Sequence, residues 1–218
     1  MGNLPPKNLF FPQGKIGNLV FYSMNGKTVV RTRPSGTHRN KTHPSPLQLL
    51  QREKLKTINR FLKPLKRVLD FGYQEYLTQS KKGIHLAYAE LNHKGYHHDR
   101  EPRIDPAFLK ISKGNLLEPQ NPTLEKTDSG FRISWDASSA EGKSMPSDET
   151  FIVLYQPEQG KYIWVEQKFR RSAGLAEVNL AEANRDYPWH VYLAFSQYNI
   201  WRKSYILSNS EYLGKIEL

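Results

Sequence analysis

Cysteine is absent from the 218-residue sequence. Its absence excludes disulfides and thiol catalysis and disfavours structural zinc, which usually takes thiolates. Long apolar runs are missing too: no stretch approaches the ~18 uninterrupted apolar residues that read as a spanning helix. The opening MGNLPPKNLFFPQGK has no basic region leading into an apolar one, and Pro6 stands where a myristoylation signal needs Ser or Thr, so neither a secretory leader nor a lipid anchor is expected. These absences point to the cytoplasm, or to a particle assembled there, and away from a membrane. Catalytic signatures are missing as well. No GxSxG, HExxH or paired-carboxylate constellation has a supporting context, so the chain reads as a non-enzyme with no catalytic residue and no cofactor. Acidic residues are scarce in one half only. Residues 1–113 hold 21 Lys and Arg against 7 Asp and Glu, a surplus of +14, whereas 114–218 hold 11 against 14; the whole chain carries +11. Such a field attracts polyanions.

What is present begins with a hairpin. A hydrophobic share of 38% with 24% charged residues is that of a folded globular protein rather than a disordered one. Leu19–Met24 and Lys27–Arg33 flank Asn25-Gly26, the dipeptide that best tolerates the two positive φ angles of a type I′ turn. A two-residue loop pairs Met24 with Lys27, Tyr22 with Val29 and Val20 with Arg31 on one face. Ser23/Thr28, Phe21/Val30 and Leu19/Thr32 fall on the other, which is the expected core face. Tyr22, Lys27, Arg31 and Arg33 are then expected to share the opposite face.

From Arg33 to Pro46 the run RPSGTHRNKTHPSP reads as a loop or arm carrying Arg33, Arg39 and Lys41. Ser45-Pro46 supplies an N-cap and a first-turn proline for a helix through LQLLQREKLKTINRFLK. At 100° per residue Leu55, Ile58, Leu62, Leu65 and Leu69 form an apolar stripe; Arg52, Lys56, Arg60, Lys63 and Arg67 form a cationic one on another side. Pro64 cannot donate a hydrogen bond and is expected to kink or divide this helix. YQEYL and IHLAYAELNHK read as further helix, the latter with Ile84, Ala87, Tyr88 and Leu91 at helical spacing. AFLKISKGNLLEP reads as a strand and turn.

The remainder changes period. GFRISWD alternates Phe131, Ile133 and Trp135, and TFIVLYQ, KYIWVEQ, AEVNL, WHVYLAFSQ and YILSNSEYLGKIEL follow between turn residues. The expected fold is an α+β N-terminal domain of hairpin, arm and basic amphipathic helices over residues 1–113, then a linker at 114–127. An all-β domain of six or seven strands follows at 128–218. The periodicity supplies the strands; a sandwich resembling immunoglobulin or fibronectin type III modules is an analogy.

The segments GKIGNLVFYSMNGKTVVR, PSPLQLLQREKLKTINRFLKPLKRVL, ISKGNL and SNSEYLG together resemble a family of uncharacterised proteins of the Bacteroidetes lineage, classed as a domain of unknown function. The resemblance covers most of the chain and implies the two-part layout, with no activity or site to carry over. THPSPLQLLQREK more loosely resembles a short motif of some phage-derived structural proteins.

Four candidate sites can be weighed. QGKIGN invites a phosphate-loop reading, but position 9 is Leu rather than Gly, Ile16 replaces Ser or Thr, and a strand follows instead of a helix. His93, His97, His98 and Asp99, with His85 near, make the metal-like cluster; Gly95 interrupts it and a solvated histidine patch is the blander alternative. Trp135, Trp164, Trp189 and Trp201 could form a sugar platform, although Trp135 and Trp164 lie on core-type strand patterns. The basic surface goes furthest. Lys27, Arg31, Arg33, Arg39, Lys41, Arg52, Lys56, Arg60, Lys63 and Arg67 could neutralise phosphates, with Tyr22 as a stacking face. A solvated basic face is the usual alternative for one helix stripe. The expected partner is nucleic acid or another polyanion, held without sequence reading. The competing expectation is a structural subunit that contacts a protein partner or its own copies through the hairpin, arm or sandwich.

Overall fold

Four short strands open the computed structural model, which describes residues 2–3, 13–24, 26–33, 43–98, 102–137, 142–181 and 188–217. They are β1 (Gly2–Asn3), β2 (Gly14–Ile16), β3 (Leu19–Met24) and β4 (Lys27–Thr32), joined as an antiparallel sheet in the order β1-β4-β3-β2. The β3–β4 register is the one a two-residue loop dictates, Met24 facing Lys27, Tyr22 facing Val29 and Val20 facing Arg31. Gly26 has φ +74°, as a type I′ turn requires; Asn25 lies outside the described residues. Burial does not follow the expected face. Thr28 and Val29 are the buried pair, and as sequence neighbours they point to opposite sides. β4 is an inner strand, paired along both edges.

Helix α1 (Pro46–Leu62) starts where Ser45 caps it. Gln48 N–H donates to Ser45 Oγ at 3.3 Å and Ser45 N–H donates to Gln48 Oε1 at 3.2 Å, a reciprocal capping box. At Pro64 the helix tightens into a 3₁₀ turn, Lys63–Leu65, and resumes as α2 (Lys66–Gly72), the division expected of a residue with no N–H. YQEYL yields only a 3₁₀ turn, Gln74–Tyr76, rather than further helix. At Gly72, the last residue of α2, the Ile111 carbonyl packs so closely that a Cβ would sit 1.9 Å from its oxygen, so the position is held by glycine. Helix α3 (Gly83–Lys94) crosses α2 through a second glycine: a Cβ on Gly83 would lie 2.2 Å from the Leu69 carbonyl oxygen. A small antiparallel pair follows, β5 (Tyr96–His98) with β6 (Pro102–Ile104).

AFLKISKGNLLEP is not a strand. It forms a 3₁₀ turn, Pro106–Phe108, and then an extended segment with Leu109, Ile111 and Leu116 buried. Backbone pairing is sparse here, with Ser210 N–H donating to the Ser112 carbonyl and Leu116 N–H to the Leu207 carbonyl, and side chains add to it. Ser210 Oγ accepts from the Ile111 and Ser112 N–H groups at 2.9 and 3.4 Å, and Ser112 Oγ donates to the Ser208 carbonyl at 2.9 Å. The segments ISKGNL and SNSEYLG therefore pack on each other.

Eight further strands are described: β7 (Thr123–Lys126), β8 (Gly130–Ser134), β9 (Glu149–Gln156), β10 (Lys161–Trp164), β11 (Leu175–Asn179), β12 (Trp189–Asn199), β13 (Ser204–Leu207) and β14 (Glu211–Ile216). One antiparallel sheet runs β10-β9-β12-β13, with β14 also paired to β12; a smaller one runs β11-β8-β7. Strand β7 falls in the stretch expected to be linker.

The larger sheet is covered on both faces. Phe151, Val153 and Tyr155 of β9, with Tyr192 and Ala194 of β12, share a core with Ile58, Leu62, Leu65 and Leu69 of the helical run. The alternate residues Ile152, Leu154, Val191, Leu193 and Phe195 share another with Phe131, Ile133, Ala176 and Val178 of the smaller sheet. FIVLY and VYLAF lack polar alternation for this reason. The compact units are Met1–Leu50 and Gln51–Leu218, so residues 114–127 lie inside the second, because the helices pack as a layer on the sheet. Leu55 departs from the expected stripe at 48% exposure: α1 first reaches the core at Ile58, one turn later. No helix among the described residues is long and apolar enough to cross a membrane.

Candidate polyanion-binding surface

The expected surface divides between the two units, and each part stands by itself. On the hairpin, Lys27, Arg31 and Arg33 are exposed, and the Arg31 guanidinium lies 5.6 Å from the centroid of the half-buried Tyr22 ring. That contact is the diagonal one of an antiparallel pair, and it orders the guanidinium on an aromatic face. Arg39 and Lys41 lie outside the described residues.

In the second unit Arg52, Lys56, Arg60, Lys63 and Arg67 are all exposed, as the helical spacing required. The stripe carries across the 3₁₀ turn at Pro64. Among the described residues Lys56, Arg60, Lys63 and Arg67 make no ion pair, whereas Lys110 and Lys113 are each matched at 3.2 Å, by Glu211 and Glu90. Lys54, on the same helix, is occupied differently. Its Nζ donates to the Asn92 carbonyl at 2.7 Å and sits 5.0 Å from the Tyr96 ring centroid, tying α1 to the end of α3.

Two hollows of about 420 Å³ each meet the stripe. Arg60 lines one together with His190, Lys215 and Glu158. The His190 imidazole is held below its ordinary pKa first by burial and then by Lys215, against Glu158 and Asp105, and its Nδ1 lies 2.8 Å from Tyr212 Oη. Arg67 lines the other with Phe71, Tyr162, Trp164, Tyr205, Glu166 and Lys168. Burial also lowers the Lys168 ammonium from its ordinary value, opposed by Glu149. The sequence reading missed Lys168 and Lys215, because both belong to strand-like stretches in the half of the chain with an acidic balance.

The other candidates are scattered. His93 ends α3 while His97 pairs with Arg103 in the β5–β6 ladder, so the i, i+4 spacing is not helical there; Gly95 separates the two elements. Asp99 and the His98 side chain lie outside the described residues. His85 Nδ1 accepts from the Lys82 N–H at 3.3 Å. Trp135 and Trp189 are buried between the sheets, Trp164 lies on the helix side of the large sheet, and Trp201 is at a hairpin tip, so the four do not form one platform.

A buried ion pair belongs to the fold instead. Arg171 Nε donates to Asp148 Oδ2 at 3.1 Å, with both side chains fully buried, and Nη2 donates to the Leu117 carbonyl at 2.8 Å. Burial pushes the Asp148 carboxyl up, opposed by the Met145 N–H and the Arg171 guanidinium.

The model of a family described as a family of unknown function, DUF6266, matches residues 11–214. No curated protein and no solved structure matches the chain.

Proposed function

The chain belongs to the DUF6266 family of unknown function, and from the chemistry of its surface we propose that it is a non-enzymatic protein that holds an acidic polymer, foremost nucleic acid, without reading its sequence. The observation that carries this is the exposed set Lys56, Arg60, Lys63 and Arg67, without an ion pair among the described residues, on one side of the helical run. Charges that the fold does not neutralise repel one another, and a polyanion relieves that repulsion while releasing its own counterions. Lys27, Arg31 and Arg33 on the hairpin, with Arg39 and Lys41 of the arm, add cations of the same use. We further propose that the two sheets of the second unit form an immunoglobulin- or fibronectin-like sandwich that docks to another protein, and that the protein works in the cytoplasm.

A second reading, a structural subunit of a larger assembly, is favoured by a different observation. Ile16, Leu19 and Met24 of the hairpin sheet are exposed, and β2 is an edge strand able to accept another strand. Size-exclusion chromatography with light scattering, at low and high salt and with absorbance at 260 and 280 nm, separates the two. Nucleic acid that co-elutes and is stripped by salt from a monomer supports the first. A clean, salt-resistant oligomer supports the second. Converting Arg31, Arg33, Lys56, Arg60 and Arg67 to Glu is expected to abolish nucleic-acid binding with the second unit still folded; unchanged affinity overturns the proposal.

A further inference from the structure

The stripe ends at Arg67, on the wall of a hollow whose other side chains are unusual for a phosphate-only surface. Phe71, Tyr162, Trp164 and Tyr205 line it, together with Glu166 and a second cation, Lys168, whose Nζ lies 3.5 Å from the Thr150 carbonyl oxygen. Phe71 meets two of the other rings, lying 4.8 Å from Trp164 and 5.1 Å from Tyr205, centroid to centroid.

This aromatic series does not stop at the hollow. Tyr205 on β13 pairs with Tyr198 on β12, and their rings meet edge to face at 5.1 Å. Tyr198 is 51% exposed. Just beyond, the turn between these strands carries Ile200, Trp201, Arg202 and Lys203, and Trp201 is 96% exposed, the indole free on both faces. The turn is formed rather than frayed. Asn199 Oδ1 accepts from the Arg202 N–H at 3.0 Å, and Lys203 takes a left-handed φ of +48°.

A surface that only neutralises phosphates has no use for exposed rings, and a folded chain gains nothing from leaving an indole in water. Rings alternating with cations have a known physical use: unpaired bases stack on the rings while Arg and Lys hold the backbone. A duplex keeps its bases stacked inside and leaves such rings idle.

Resting on the polyanion reading above, we propose that the hollow at Arg67 and the aromatic series through Tyr205 and Tyr198 to Trp201 form a track for single-stranded nucleic acid. The hollow takes one unstacked base, Arg67 and Lys168 hold its flanking phosphates, and Trp201 with Arg202 and Lys203 engages the strand further along.

The test is fluorescence anisotropy of the full chain with a labelled oligothymidine and with a labelled duplex of the same length, at one low salt concentration. The variant is Tyr198→Ala with Trp201→Ala, two exposed rings whose loss spares the core; circular dichroism checks its fold. Intrinsic tryptophan fluorescence of the wild type is followed in the same titrations. The expected result is at least ten-fold tighter binding of the single strand than of the duplex, with quenching of tryptophan by the single strand. The double variant is expected to lose about ten-fold or more in single-strand affinity, the size of one or two lost stacks, and to keep its duplex affinity. Equal binding of both probes, unchanged in the variant, overturns the track and leaves the polyanion reading standing. Failure of the wild type to bind either probe overturns both.

Discussion

At Arg171 the guanidinium touches almost everything around it. It donates to Asp148 and to the Leu117 carbonyl and lies 3.8 Å from the Phe195 ring centroid, while the Arg171 backbone carbonyl accepts from Trp135 Nε1 at 2.7 Å. The pair is not fully satisfied, since Arg171 Nη1 and Asp148 Oδ1 lack hydrogen-bond partners among the described residues. Removing one member is then far worse than removing both charges, because the survivor is stranded without water. Arg171→Met is expected to cost about 3–5 kcal/mol in urea denaturation. Adding Asp148→Asn, which still accepts from the Met145 N–H, is expected to recover part of that loss; a double variant no more stable than the single one defeats this account. His190 gives a pH dependence at the same scale. Its folded pKa is depressed by burial, so below the unfolded value of about 6.5 the unfolded chain binds the extra proton. Stability is expected to fall as pH drops from 6.5 through the folded pKa and then level off. His190→Gln should flatten that part of the curve, as thermal melts of the two proteins at pH 7.5 and 5.5 would show.

Among the elements, the extended segment 109–116 depends on the loop after β13 for its hydrogen bonds. Ser210 Oγ serves two buried N–H groups at once, so Ser210→Ala is expected to cost about 2–4 kcal/mol, the penalty of stranding two donors. Ser210→Thr retains the acceptor, and equal destabilisation by both variants would count against the hydroxyl's role. No sequence pattern announces this contact, which joins residues about a hundred positions apart; the segment's apolar residues are legible, but their pattern alone suggests a strand. Hairpin register, the Ser45 cap and the break at Pro64 were legible because each is decided within a few residues. The face of a helix that meets the sheet was legible from Ile58 onward, but where burial begins depends on the partner layer, and Leu55 falls outside it. In the candidate site the exposed cations followed from helical spacing. The aromatic hollow did not, because Phe71, Trp164 and Tyr205 come from three separate elements and read singly as core.

Over the whole molecule, charge and layering are related. The helices cover one face of the large sheet with their apolar side, which leaves their cationic side to solvent and the acidic balance to the strands beyond it. On the proposed function, fold stability and polyanion affinity belong to opposite sides of the same helical run, so its outward charges can be changed without touching the core. Four of them, Lys56, Arg60, Lys63 and Arg67, are unpaired among the described residues, and each that meets a phosphate releases condensed counterions. For a single strand the slope of log affinity against log salt is about −0.7 per phosphate neutralised, so these four contacts contribute about −3 to it. Lys56→Gln with Arg60→Gln is expected to make it shallower by about 1.5, with little change in denaturation midpoint because both side chains are exposed. Anisotropy titrations over a series of salt concentrations give both slopes. An assembly interface built on apolar anchors would show a shallow slope that the two substitutions leave alone, because a screened Coulomb term is then not what holds the partner.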